Sequence, residues 1–131
     1  MAYLIDTNIA IHARDGTDVV LAKLEQHDGE VLLSALSLAE LQRGLYRDPR
    51  FTAIRQARLE VLLRALQVLA FDASAAVAYG WIIAQCGWAR GRDFDRMIAA
   101  HAISSGSILV TDNETDFRDI PGLSMENWMG H

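Results

Sequence analysis

Leu4-Ile5-Asp6-Thr7-Asn8 is the stretch that decides how the rest of the chain is read. An apolar run stops abruptly at a carboxylate, a hydroxyl and an amide. In an open α/β sheet, ligands bind beyond the carboxyl ends of parallel strands. An acid placed there either caps the next helix or forms one wall of an acidic site.

Working outward, residues 3–6 read as a short buried strand. Two helical pieces follow, Ile9 to Ala13 and Val19 to Gln26, separated by Asp15-Gly16. Asp28-Gly29 is a turn signal before a second strand at 30–35. A helix is expected from Ser37 to about Tyr46. Asp48-Pro49 breaks it and opens another, because proline suits a first helical turn. That next helix carries Phe51, Ile54, Val61, Leu62, Ala65 and Leu66 at helical spacing, which predicts one apolar face. Val68 to Phe71 reads as a third strand. Ala73 to Cys86 reads as a helix stopped by Gly87, and Phe94 to Ser105 as another stopped by Gly106. Ser107 to Thr111 is a fourth strand. After Pro121-Gly122, a weak last strand is expected near Leu123 to Met125. Strands alternating with helices predict α/β architecture with a central, mostly parallel sheet of four to five strands covered on both faces.

The chain has 131 residues, which predicts a single domain over 1–131 with a real core. Its 51% hydrophobic content excludes a disordered chain. No apolar run approaches the roughly 18 residues of a membrane span, so no membrane partner is expected. No basic stretch followed by an apolar signal region opens the chain, which argues against export. The single cysteine, Cys86, has no internal partner, and a reducing cytoplasm fits. His12, His27, His101 and His131 form no ligand pattern, and zinc is not indicated. His101 reads as a packed or surface helix residue. Trp81, Trp88 and Trp128 read as core or rim packing. The net charge of −5 argues at first against nucleic acid. The distribution is less simple: six arginines (43, 47, 50, 55, 58 and 64) fall between Gln42 and Arg64, against Asp48 and Glu60.

Three further carboxylates, Glu40, Asp95 and Asp116, are candidates to join Asp6. Each also has an ordinary structural role open to it. Asp6 or Asn8 can cap the helix that follows. Ser37-Leu38-Ala39-Glu40 spells a capping box. Asp95 can cap its helix, with Asp93 competing for the position. Asp112 and Asp116 follow strand four, where turn-forming acids are common. Their shared location favours a site, because right-handed parallel connections send all these strand ends to one edge. Crowded carboxylates repel one another unless a cation or proton intervenes. An oxygen-only set suits Mg²⁺ or Mn²⁺, and such ions promote in-line displacement at phosphorus.

Four segments together resemble the PIN-domain ribonucleases, and within them the VapC toxins of bacterial toxin–antitoxin pairs. Leu4-Ile5-Asp6-Thr7-Asn8 is similar to the family's opening motif, and Ser34 to Leu41 to its second. Asp95-Arg96-Met97-Ile98-Ala99-Ala100-His101-Ala102 resembles the third and most distinctive. Leu109 to Phe117 resembles the fourth, and the ending from Ile120 to Trp128 is typical of one VapC subgroup. The resemblance covers essentially the whole chain and implies a PIN-like three-layer α/β/α sandwich. It implies a Mg²⁺-dependent endoribonuclease, with Mn²⁺ as a substitute, that cleaves structured RNA such as tRNA and restrains translation. It implies Asp6, Glu40, Asp95 and Asp116 as the catalytic and metal-binding acids, with Asn8, Thr111 and Asn113 orienting ligands or water. Asp93 and Asp112 stand close enough in sequence to share or replace the third and fourth acids. It also implies a VapB-type antitoxin partner and a homodimer or larger toxin–antitoxin hetero-oligomer.

Two other classes stay open. A metal-dependent phosphatase usually carries a second Asp two residues after the first and a later Lys; here position 8 is Asn and the only lysine is Lys23. A module binding RNA or protein through the arginine-rich helices needs no clustered carboxylates.

Overall fold

The computed structural model describes residues 1–130, so His131 lies outside the described residues. The chain runs β1 (Tyr3–Ile5), α1 (Thr7–Arg14), α2 (Asp18–Gln26), β2 (Val31–Ser34), α3 (Ala35–Leu45), a 3-10 turn (Pro49–Phe51), α4 (Thr52–Arg64), β3 (Gln67–Leu69), α5 (Ala73–Cys86), α6 (Asp93–Ser104), β4 (Ile108–Val110), a second 3-10 turn (Glu114–Phe117) and β5 (Met125–Glu126). The five strands form one parallel sheet in the order β3-β2-β1-β4-β5.

Side chains alternate across a strand, and the two faces are filled accordingly. Ile5, Leu33 and Val110 point into one apolar layer with α1–α4 and Trp128. Leu4 and Leu109 point into the other, against Ile82 of α5, the Ile98–Ala102 stretch of α6, and Phe117. The alanines Ala99, Ala100 and Ala102 are fully buried, which lets α6 lie close to the sheet. These strands read as nearly continuous apolar runs because both faces are covered.

Strand limits follow from pairing. Ser34 is the last β2 residue to pair and lies opposite Leu69, so β3 ends there instead of at Phe71. The last strand is set by β4, through Leu109 with Met125 and Val110 with Glu126, two residues beyond its expected start. The expected apolar face of α4 is only partly used. Leu59 and Leu62 are buried, while Phe51, Ile54 and Val61 stay exposed. Ile54, Val61 and Leu62 instead line an apolar groove of about 410 Å³ with Leu21 and Leu24 of α2.

α6 is tied to the sheet by a polar contact as well as by packing. The buried His101 sets its Nδ1 2.8 Å from the Ser34 hydroxyl at the end of β2, and Phe71 meets the ring edge-on. Burial holds the His101 pKa below its ordinary 6.5, with Asp72 and the Ala70 backbone pulling the other way. The unfolded chain therefore binds a proton at this group before the folded chain does, and stability drops as pH falls below 6.5. Urea unfolding between about pH 7.5 and 5.5 should show a steeper loss in the native protein than in His101→Gln. Parallel pH profiles would show that this histidine does not carry the effect.

Candidate active site

The register aligns the carboxyl ends of three central strands: Ile5 sits opposite Leu33 on one side and Val110 on the other. Asp6 follows, its N–H donating to the Val110 carbonyl at 2.9 Å. Its side chain is nearly buried and caps α1, with Oδ1 accepting the Ile9 N–H at 2.9 Å. The capping and site roles open to this acid in the sequence are therefore held together. Burial raises the Asp6 pKa to about 6; the Thr111 hydroxyl and the Ile9 N–H pull it down, while Asp112 and Asp95 push it further up.

Glu40 comes from α3. The capping box expected at Ser37–Glu40 does not form. Ser34 is the cap, accepting the Leu36 N–H at 3.1 Å, and α3 begins at Ala35. Ser37 thus lies inside the helix, buried, and its hydroxyl accepts from Thr7 at 3.0 Å. Glu40 is left free of backbone duties, lines the cleft, and among the described residues pairs only with Arg43, at 3.4 Å.

Asp95 does not cap α6 either. The capping residue is Arg92, which makes no side-chain cap bond, and Asp95 sits in the first turn. Burial raises its pKa, and then Asp116; Arg92 opposes, and Glu40 adds to the rise. Asp93, expected as a neighbour of the site, is committed elsewhere: the Tyr79 hydroxyl donates to one carboxylate oxygen at 2.6 Å and the Trp88 indole to the other at 3.1 Å. It anchors the 87–92 loop.

Asp116 reaches this region on the second 3-10 turn, and its carboxylate accepts a hydrogen bond from the Asn113 amide. Two arginines of the α6 region hold the segment. Arg92 donates to the Asp116 carbonyl at 3.1 Å, and buried Arg96 makes a two-pronged contact with Asp119 at 3.0 and 3.3 Å. The Arg96 Nε is buried without a partner among the described residues. Asp112 stands beside Asp6 and within 3.7 Å of the His12 Nε2.

Asp6, Asn8, Glu40 and Asp95 line one cleft of about 430 Å³. Its other wall is basic: Arg14, with Arg43, Arg47 and Arg55 of the arginine-rich stretch, which the sequence did not place beside the acids. Glu40 and Arg43, three residues apart on α3, share one helix face, and Arg47 follows just past the end of that helix. Asp116 and Asp112 act on this group through Asp95 and Asp6 but do not line the cleft itself. No three carboxylate or histidine groups among the described residues already stand close enough to hold one ion. The chemistry of the set still fits a hard cation: it is all oxygen and partly dehydrated, and burial, with neighbouring carboxylates, raises the pKa values of Asp6 and Asp95.

A parallel sheet between helical layers, with an acid-lined cleft beyond its carboxyl edge, defines the class of α/β/α proteins to which this fold and site belong. A family model described as PIN domain matches residues 3–123, and the chain belongs to the PIN domain family, in its VapC branch. Ribonucleases of this family depend on a metal ion. The chain is 34% identical to "Ribonuclease VapC2" of Rickettsia felis, with 98% of each chain covered. It is 33% identical to "tRNA(fMet)-specific endonuclease VapC" of Shigella flexneri, again over 98% of each. The crystal structure of VapBC2 from Rickettsia felis bound to a promoter DNA fragment superposes with a TM-score of 0.86 at 33% identity, over 98% of this chain and 99% of that one.

Asp6 separates stability from chemistry. Asn keeps the capping oxygen and removes the buried charge, so Asp6→Asn should be at least as stable as the native protein at pH 8 without added metal. Asp6→Ala should lose about 1 kcal/mol through the missing cap. Thermal unfolding of the three proteins checks both. An Asp6→Asn protein markedly less stable than native would mean that burial of this carboxylate is not costly.

Proposed function

We propose that the chain is a VapC-type toxin, a Mg²⁺-dependent endoribonuclease that accepts Mn²⁺ and cleaves structured RNA, tRNA foremost, thereby blocking translation. The observation that carries this reading is the convergence of Asp6, Glu40 and Asp95, from three separate elements, on one cleft. A relative of one-third identity is named for cleavage of tRNA(fMet), which supports tRNA as the substrate class.

In this reading Asp6 and Asp95 hold the ion, and Glu40 and Asp116 complete the acidic set. When bound, such an ion stabilises charge on the phosphoryl group and makes a water acidic enough to attack. The protein's own part is positioning. The α1 cap and Thr111 fix the Asp6 carboxylate. Asn113 holds Asp116, and the Arg92 and Arg96 contacts keep its segment against α6. Asn8 lines the cleft where it can orient water or a ribose hydroxyl. Asp112 remains available as a supplementary acid beside Asp6, whereas Asp93 has no role in this chemistry.

The same reading supplies a VapB-type antitoxin, since structural neighbours were solved as VapBC complexes. The apolar groove between α2 and α4 is a fitting seat for an apolar antitoxin segment. A homodimer or larger hetero-oligomer goes with that assembly. No helix among the described residues is long and apolar enough to cross a membrane. A cytoplasmic activity goes with the proposed RNA substrate.

Purified, antitoxin-free protein should cut cellular tRNA with Mg²⁺ and not with EDTA. Asp6→Asn and Asp95→Asn should each lower the rate by at least about a hundredfold with unchanged circular dichroism. A folded native protein that cuts no RNA, or an Asp95→Asn protein that retains turnover, would sink the assignment.

A further inference from the structure

The acidic cleft has one strongly basic wall, and two of its arginines have no carboxylate partner among the described residues. Arg14 is nearly buried and bound to Asp15 at 2.9 Å, and Arg43 pairs with Glu40. Arg47 is exposed and lines the cleft; its backbone N–H donates to the Gly44 carbonyl at 3.4 Å, while its guanidinium makes no hydrogen bond or ion pair with any described residue. Arg55 donates one N–H to the Gly44 carbonyl at 3.3 Å, and its guanidinium lies 5.4 Å from the Phe51 ring centroid. Those contacts orient it and leave most of its donors unused. The nearby acid, Asp48, accepts two hydrogen bonds from the Arg50 guanidinium, at 2.7 and 3.1 Å, and feels Arg55 only through the field. The exposed Phe51 thus acquires a purpose, as a platform against which both Arg50 and Arg55 rest.

Neither Arg47 nor Arg55 forms an ion pair with Asp6, Glu40 or Asp95, so these two do not serve to neutralise the acids. It offers two uncompensated guanidinium groups to an anion entering the cleft. Guanidinium forks match phosphate oxygens, and a polyanion running over an acidic centre needs positive charge beside it. An acidic peptide would instead bring its carboxylates against those of the site.

Resting on the ribonuclease reading, we infer that Arg47 and Arg55 form a phosphate clamp that seats the RNA backbone beside the scissile linkage. They bind phosphates adjacent to the one that reacts, and they set affinity and register on the strand without taking part in bond breaking.

The test is binding of a fluorescein-labelled initiator tRNA transcript by the full chain, with Asp95→Asn added to prevent cleavage, followed by anisotropy between about 50 and 200 mM salt. Arg47→Ala/Arg55→Ala should bind about tenfold more weakly at low salt and flatten the log–log salt slope by about 1.5 to 2. Arg47→Ala alone, at a side chain that touches nothing, should show about half of that change in slope and guards against a folding artefact. Arg58→Ala/Arg64→Ala removes the same charge from α4 away from the cleft and should leave affinity and slope nearly unchanged. The clamp is overturned if the cleft double variant binds as the parent does, or if both double variants lose equally, which would mean diffuse attraction. It is also overturned if only antitoxin binding suffers, which would assign the wall to a protein partner. A protein with Asp95 intact that cuts RNA while the clamp variants bind normally removes the clamp alone. One that neither binds nor cuts RNA removes the ribonuclease reading with it.

Discussion

Asp6 brings a carboxylate into a nearly dry position at the end of β1, where Asp112 and Asp95 add their charges to the cost of burial. A folded chain tolerates this only because the backbone around Asp6 is held from several sides. Its N–H continues the ladder to β4, its Oδ1 caps α1, and two covered faces of a parallel sheet leave the strand no freedom to withdraw. Under the proposed ribonuclease reading, the same confinement that makes the carboxylate costly would hold it in place for a cation. Stability and that function would then pull in opposite directions at this residue, as they commonly do where charge is stored at a site.

The remaining acids are delivered by devices of different kinds. Glu40 rides on a helix whose cap is a different serine, so its side chain is free to face the cleft. Asp95 sits in the first turn of α6, where the helix dipole favours negative charge. Asp116 comes from a short 3-10 turn that could not hold position alone, and it is fastened to α6 through Arg92 and the Arg96–Asp119 pair. Arginine beside Asp119 holds that carboxyl below the usual range, as expected of a structural ion pair. Asp6 and Asp95, by contrast, are pushed up by burial. The opposite directions set the Asp119 ion pair apart from these two cleft carboxylates.

Much of this was legible in the sequence. Apolar runs ending in Asp, Ser or Thr located the strand ends, and the βα alternation implied a parallel sheet with those ends on one edge. What escaped was local competition between equivalent residues. Ser34 and Ser37 both spell a helix start, and only the pairing of β2 with β1 and β3 chooses between them. Asp93 and Asp95 are two residues apart on a helix and so point in different directions, one toward Tyr79 and Trp88, the other toward the cleft. The apolar positions of α4 show the right period, but a short chain has too few neighbours to cover them all. Arg47 and Arg55 look like part of a chain-wide arginine habit until the fold places them opposite the acids.

The central claim is that Asp6 just past β1, Glu40 on α3 and Asp95 on α6 together hold a divalent cation. The most direct test is a crystal of the antitoxin-free protein soaked in Mn²⁺ and measured for anomalous scattering. The account predicts a peak in the cleft, bordered by Asp6 and Asp95, that disappears in Asp6→Asn. A well-ordered cleft without a peak, or Mn²⁺ bound only at His12 and Asp112, would contradict it.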